Sequence, residues 1–200
     1  MEAMDFFRLS EGRWISQRTT HHLAMRRTEL GQLEITATVL DIDHPKVIEI
    51  CQMHDIEPAK AMGGAAVSWH GSMQWDEADQ QQEGATVLVL VPDDDDPQVG
   101  QLLREKGYAE TSPVVGRYQV DEQQGLVLTT DYSTMSSTER FWFPNEATRI
   151  RTSTVIGLSN TASFCVETRL EESAASGAKS ATASPAVGSI PAAQFSVLGW

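Results

Sequence analysis

Between Glu11 and about Arg169, apolar and polar residues alternate in short runs, each broken by Gly, Pro, Asn or Asp. A period of two puts successive side chains on opposite faces of an extended chain, so the pattern reads as strands. The runs cover 13–24, 32–40, 65–75, 85–91, 111–120, 126–132, 137–143, 148–156 and 162–170. Helical spacing is confined to short pieces. One is 4–9; another is 43–53, where Asp43 is placed to cap, Pro45 sits in the first turn, and Val47, Ile48, Ile50 and Cys51 form an apolar face. The segment 97–106 reads either as a helix, with Val99, Leu102 and Leu103 on one side and Gly107 ending it, or as a linker between strands. A meander of this many strands hides its edges most simply by closing on itself. The expected class is all-β: an antiparallel barrel of about nine or ten strands with one or two short helices, wide enough to hold one small ligand.

Composition narrows what such a barrel meets. A net charge of −13 over 200 residues repels nucleic acid and anionic membranes alike. No run approaches the roughly 18 apolar residues of a spanning helix, and the N-terminus lacks a basic region followed by an apolar stretch. These features predict a cytoplasmic protein without membrane insertion. Cys51 and Cys165 are far apart and have no Cys/His neighbours at metal spacing, so neither a disulfide framework nor a metal site is expected. The acidic run at 93–96 lacks the alternation of a calcium loop and reads as a solvated turn. From about Glu171 the chain turns to Ala, Ser, Gly and Thr, which predicts a single barrel domain over 1–170 and a flexible tail over 171–200.

Several constellations carry candidate chemistry. Gly12-Arg13-Trp14 stands where a short helix enters the first strand, a position that suits Trp14 as a plug of the barrel end. Ser16, Arg18, Thr20 and His22 then share one face and Ile15, Gln17, Thr19, His21 and Leu23 the other, so one histidine of the adjacent pair points inward and one outward. Val67, Trp69, Gly71, Met73 and Trp75 share a face, with the two indoles about 13 Å apart at the usual strand rise of about 3.3 Å. They are placed to flank a flat conjugated molecule or to pack in a core. Arg149, Arg151 and Ser153 line one face of a strand whose hairpin partner carries Glu139. Facing inward, the guanidiniums suit carboxylates; facing outward, they form a surface ladder with Glu139. Spacing alone leaves both open.

Together, Phe6-Phe7-x-Leu-Ser-x-Gly-x-Trp14-x-Ser16-Gln17-Arg18-Thr-x-His21-His22-Leu, the Trp69 to Trp75 strand, and Glu139-Arg140-Phe-Trp-Phe with Arg149-x-Arg151-x-Ser153 strongly resemble the S/U-type phycobiliprotein lyases. The resemblance implies a calycin, lipocalin-like barrel that binds an open-chain tetrapyrrole such as phycocyanobilin. It implies delivery of that bilin as a thioether to a cysteine of a phycobiliprotein subunit, typically the β-subunit or allophycocyanin. The bilin is then substrate, and no cofactor is implied. Arg18, Arg149 and Arg151, with Ser153, would hold the propionates, Trp69 and Trp75 the conjugated surface, and Glu139 the pyrrole N–H groups. His21 would assist proton transfer, with His22 in reserve should the register differ by one. The family also implies a homodimer, or a heterodimer with a second lyase subunit. The rival reading is a lipocalin-like or fatty-acid-binding-like carrier of a small carboxylate.

Overall fold

A computed structural model describes residues 1–76, 82–94, 96–105, 114–157 and 160–171. The tail expected over 171–200 lies outside the described residues beyond Glu171. Ten antiparallel strands close into one barrel: β1 Gly12–His22, β2 Arg27–Leu40, β3 Gly63–Met73, β4 Gln82–Asp93, β5 Asp96–Arg104, β6 Val114–Val120, β7 Leu126–Asp131, β8 Met135–Asn145, β9 Thr148–Gly157 and β10 Thr161–Arg169. Each strand pairs with its sequence neighbours, and β10 returns to β1. The barrel expected from alternation is the barrel observed.

Helix α1, Ala3–Ser10, plugs one end. A reciprocal capping box between Glu2 and Asp5 starts it, and Phe6 and Phe7 are both buried. Phe6 packs on Phe143 and Phe141, with ring centroids 4.9 and 6.4 Å away. Leu90, Leu102, Tyr118, Val120, Leu126 and Leu128 complete this apolar floor. Trp14, fully buried, seals the edge: its indole N–H donates to the Ser10 carbonyl at 2.9 Å, and the Arg149 and Arg169 guanidiniums lie over the ring at 4.9 and 4.2 Å. The opposite end carries no such plug among the described residues and forms the mouth.

Helix α2, Pro45–Met53, covers the outer wall. Its cap is His44, whose Nδ1 accepts from the Lys46 N–H at 3.2 Å, rather than Asp43. Val47, Ile50 and Cys51 pack with Val89, Val91 and Leu103. That cover explains why 97–106 is ambiguous in sequence. Leu102 faces the lumen and Leu103 faces α2, so β5 is buried on both sides and its alternation disappears. Residues 106–113, including part of the run expected over 111–120, lie outside the described residues. The turn near 93–96 is not merely solvated, since the Asp93 carboxylate takes both terminal nitrogens of Arg117. Asp95 is outside the described residues.

The β6–β7 turn is held by Asp121. One carboxylate oxygen accepts from the Gln123 and Gly125 N–H groups at 2.9 and 2.8 Å, and the other from Arg140 Nε at 2.6 Å. The bond to Arg140 holds its carboxyl below the ordinary carboxylate range. The folded state therefore binds this proton less readily than the unfolded chain. The resulting stability is fully present above the ordinary carboxylate pKa of about 3.9 and is lost as pH falls through the lower folded value. Urea titrations should show Asp121→Asn costing about 1 kcal/mol at neutral pH, with the gap to wild type closing as pH drops toward 3; a constant gap would contradict this. Trp14→Ala should cost about 3–5 kcal/mol in the same assay.

Candidate functional site

Cross-strand register sorts the inward side chains into rows between floor and mouth. The deepest polar row joins Arg149, Glu167 and Ser16. Next come Phe141, Arg151, Cys165, Arg18 and Gly31 as successive neighbours across β8, β9, β10, β1 and β2. Above them run Glu139, Ser153, Ser163, Thr20 and Glu29. At the rim stand Val155, Thr161 and His22. The arginine stripe therefore faces the lumen, and its ion pair with Glu139 forms there rather than on the surface.

The three arginines of this wall are not equivalent. Arg149 is 6% exposed and bonds through Nε to Glu167 at 2.5 Å, while Glu167 is fully buried. Burial dominates and lowers the proton affinity of Arg149, and Glu167 pulls it back; the guanidinium stays charged. Arg149 also lies between the Trp14 and Phe141 rings at 4.9 and 5.7 Å, so its anion and its faces are already taken.

Arg151 is held more loosely. Its Nη1 donates to Glu139 at 3.4 Å, and its Nη2 approaches the Cys165 thiol at 3.5 Å. Its Nε lies 3.4 Å from Glu167 without hydrogen-bond alignment and is buried with no other partner. Burial opposes the charge, but Glu167, the Cys165 thiol and Glu139 more than offset it, so the pKa rises.

Arg18 has no carboxylate at ion-pair distance among the described residues. It donates to Thr20 Oγ at 2.9 Å and to Ser163 Oγ at 3.2 Å, and those hydroxyls bond each other at 3.0 Å. Cys165 is the direct neighbour of both Arg18 and Arg151, which puts two guanidiniums side by side on the wall about 10 Å apart at the backbone. Neutral hydroxyls fix Arg18 in place without neutralising it.

The tryptophans occupy different places from those their spacing suggests. Trp69 faces inward and lies across Gly84, its direct partner on β4, where an added Cβ would come within 2.4 Å of the indole. Strand β3 ends at Met73, so Trp75 sits in the following turn, not on the strand. Its backbone N–H donates to the Glu29 carboxylate at 3.3 Å, its ring lies against His22 at 4.7 Å, and the Arg27 guanidinium covers the ring at 5.1 Å. Trp75 thus belongs to the rim.

The histidine register is resolved the other way from the expectation. His21 lies on the outer face, exposed, beside Thr28 at 3.3 Å. His22 faces the mouth and bonds Glu29 at 3.0 Å, and Glu29 is 8% exposed.

Sequence reasoning passed over Glu167, Glu29, Gly84 and Arg104. Glu167 shares a face with Ser163 and Cys165 in the 162–170 run, and that parity places a carboxylate opposite Arg149. Glu29 and Gly84 fell just outside the expected strands. Arg104 shares the lumen face with Leu102, and its Nε is buried without a hydrogen-bond partner in the described structure. No group of His, Cys, Asp and Glu among the described residues could hold a metal ion, and no described helix is long and apolar enough to cross a membrane.

The chain has relatives among known proteins. A family model described as CpeS-like protein matches residues 2–170. The chain is 56% identical over 174 residues to a chromophore lyase CpcS/CpeS 2 of Synechocystis sp., covering 86% of this chain and 91% of that one. It is 47% identical over 201 residues to a phycocyanobilin lyase subunit CpcS of Picosynechococcus sp., covering 100% and 98%. Among solved structures it superimposes on the S-type phycobiliprotein lyase CPES of Guillardia theta with a TM-score of 0.77 and 33% identity, covering 86% of this chain and 95% of that one.

The division of labour among the arginines is directly measurable. Glu167→Gln strands a buried guanidinium and should cost about 3–5 kcal/mol on urea unfolding. Glu139→Gln, facing the more open lumen, should cost about 1 kcal/mol or less. Equal losses would show that the two carboxylates carry the same structural burden.

Proposed function

The chain belongs to the CpeS-like family, and from that premise we propose that it is a lyase that binds an open-chain tetrapyrrole in the barrel and attaches it to a cysteine of a phycobiliprotein subunit. The observation that carries the reading is the pair Arg18 and Arg151 on either side of Cys165, with Arg18 facing the lumen and paired to no carboxylate among the described residues. A bilin such as phycocyanobilin carries two propionates on neighbouring rings. Two adjacent guanidinium forks match that demand, whereas a monocarboxylate needs only one.

Arg18 and Arg151 hold the propionates, with the Ser153 and Ser163 hydroxyls beside them. Trp69 and Trp75 cover the conjugated surface at two depths. Glu139, one row closer to the mouth, accepts from the pyrrole N–H groups and makes ring A more electrophilic. Arg149 serves the site indirectly by fixing Glu167, which in turn sets Arg151.

The reaction adds S–H across the ring A ethylidene bond. The sulfur of the acceptor cysteine bonds the exocyclic carbon, the π bond breaks, and the thiol proton passes to the adjacent ring carbon. No oxidant or reductant is needed, and the nucleophile belongs to the partner. His22, oriented by Glu29 and lying against Trp75, is the inward histidine at the mouth and takes the proton-transfer role in place of His21. The remaining work is orientation: the bilin is held so that one face meets one thiol. We assign the β-subunit cysteine and those of allophycocyanin as acceptors, with assembly as a homodimer or with a second lyase subunit.

Mixing the protein with phycocyanobilin should shift and intensify its red absorption, and adding an apo β-subunit should give a covalent adduct. Absence of the shift sinks bilin binding, and absence of the adduct sinks the lyase assignment. Arg18→Ala should weaken bilin binding about tenfold, the equivalent of about 1.4 kcal/mol. His22→Gln should keep the bound spectrum and slow transfer at least about tenfold, whereas His21→Gln should transfer normally.

A further inference from the structure

Among the described residues, several large apolar side chains stand exposed around the mouth. Leu23 and Met25 in the β1–β2 hairpin and Ile156 at the end of β9 are 58, 57 and 63% exposed. The two hairpins touch, since the Leu23 N–H donates to the Asn160 carbonyl at 2.9 Å. The apolar surface continues down the wall through Leu30 and Phe164, which flank Thr19 from β2 and β10. Arg26, at the tip of the same hairpin, makes no ion pair among the described residues.

We infer that this rim, formed by Leu23, Met25, Arg26 and Ile156 and extended by Leu30 and Phe164, is the docking surface for the acceptor protein. The inference rests on the lyase reading of the lumen. A cysteine side chain extends only a few ångströms from its own backbone, so a bilin seated in the barrel is reached only when the acceptor surface lies directly on the mouth. Whatever presents the thiol therefore meets the hairpins that edge the mouth, the β1–β2 and β9–β10 connections among them. Burial of exposed Leu, Met and Ile side chains supplies the attraction, and Arg26 selects a partner whose thiol is bordered by carboxylates. A second copy of this chain seated there would shut the mouth, which is why the acceptor is the occupant assigned.

The test uses the full chain, phycocyanobilin and an apo phycobiliprotein β-subunit. Met25→Asp with Ile156→Asp should leave the bound-bilin spectrum and bilin affinity unchanged. It should raise the acceptor KM at least about tenfold and weaken co-sedimentation with the apo subunit. Arg26→Glu should give a smaller loss that shrinks at high salt. Lys60→Glu, on the 3-10 turn Pro58–Lys60, should match wild type. Unchanged acceptor KM in the double variant overturns the inference, as does an equal loss in Lys60→Glu, which would mark a general charge effect. A wild-type dimer that the double variant dissociates without loss of transfer also overturns it, by assigning the rim to a second copy. Failure of wild type itself to bind bilin overturns instead the lyase reading on which the inference rests.

Discussion

The ion pair between Arg149 and Glu167 is the constraint around which the rest of the lumen is arranged. Both side chains are buried near the barrel floor, where an unpaired charge costs several kcal/mol. Each therefore requires the other in register, and β9 and β10 can pair in only one way that brings them opposite. That same register puts Cys165 between Arg151 and Arg18 and lines up Ser153 with Ser163. Trp14 covers the pair from the plugged end, so the closure by α1 and the charged layer depend on each other.

On either side of this layer the barrel grades from apolar floor to polar wall to aromatic rim. The floor needs nothing from a ligand, because Phe6 and the leucines around it fill it. The wall is different. Arg18 is pinned by two hydroxyls and meets no carboxylate among the described residues, which is why the proposed function gives it an anion. At the rim, Glu29 ties His22 to the turn that carries Trp75, so an aromatic ring and an imidazole are fixed together. The proposed lyase reading fits this order, with charge at depth for the propionates and the exit left to the reactive ring.

Much of this was legible in the chain. Alternation located nearly every strand, and the motif from Phe6 to His22 marked both the plug and the inward arginine. The errors were of a few physical kinds. The 97–106 segment hid a strand because α2 covers its outer face, and burial on both sides erases the period of two. Trp75 was placed on β3 because the alternation runs two residues past the end of pairing. His21 lies on the outer face because the parity that turns Trp14 and Arg18 inward turns His22 inward with them. Glu29 and Gly84 were missed because strand ends are set by partners rather than by composition.

The sequence by itself determined the class of fold and supplied the arginines and aromatics, because strand periodicity and residue chemistry are local; it left open which of them face the lumen. Only the tertiary structure decided which arginine is free. Arg18, Arg149 and Arg151 are alike as residues; what separates them is the cross-strand neighbour. Glu167 opposes Arg149, Glu139 reaches Arg151, and two hydroxyls meet Arg18. Charge compensation depends on distances across strands far apart in the chain, and barrel closure sets those distances.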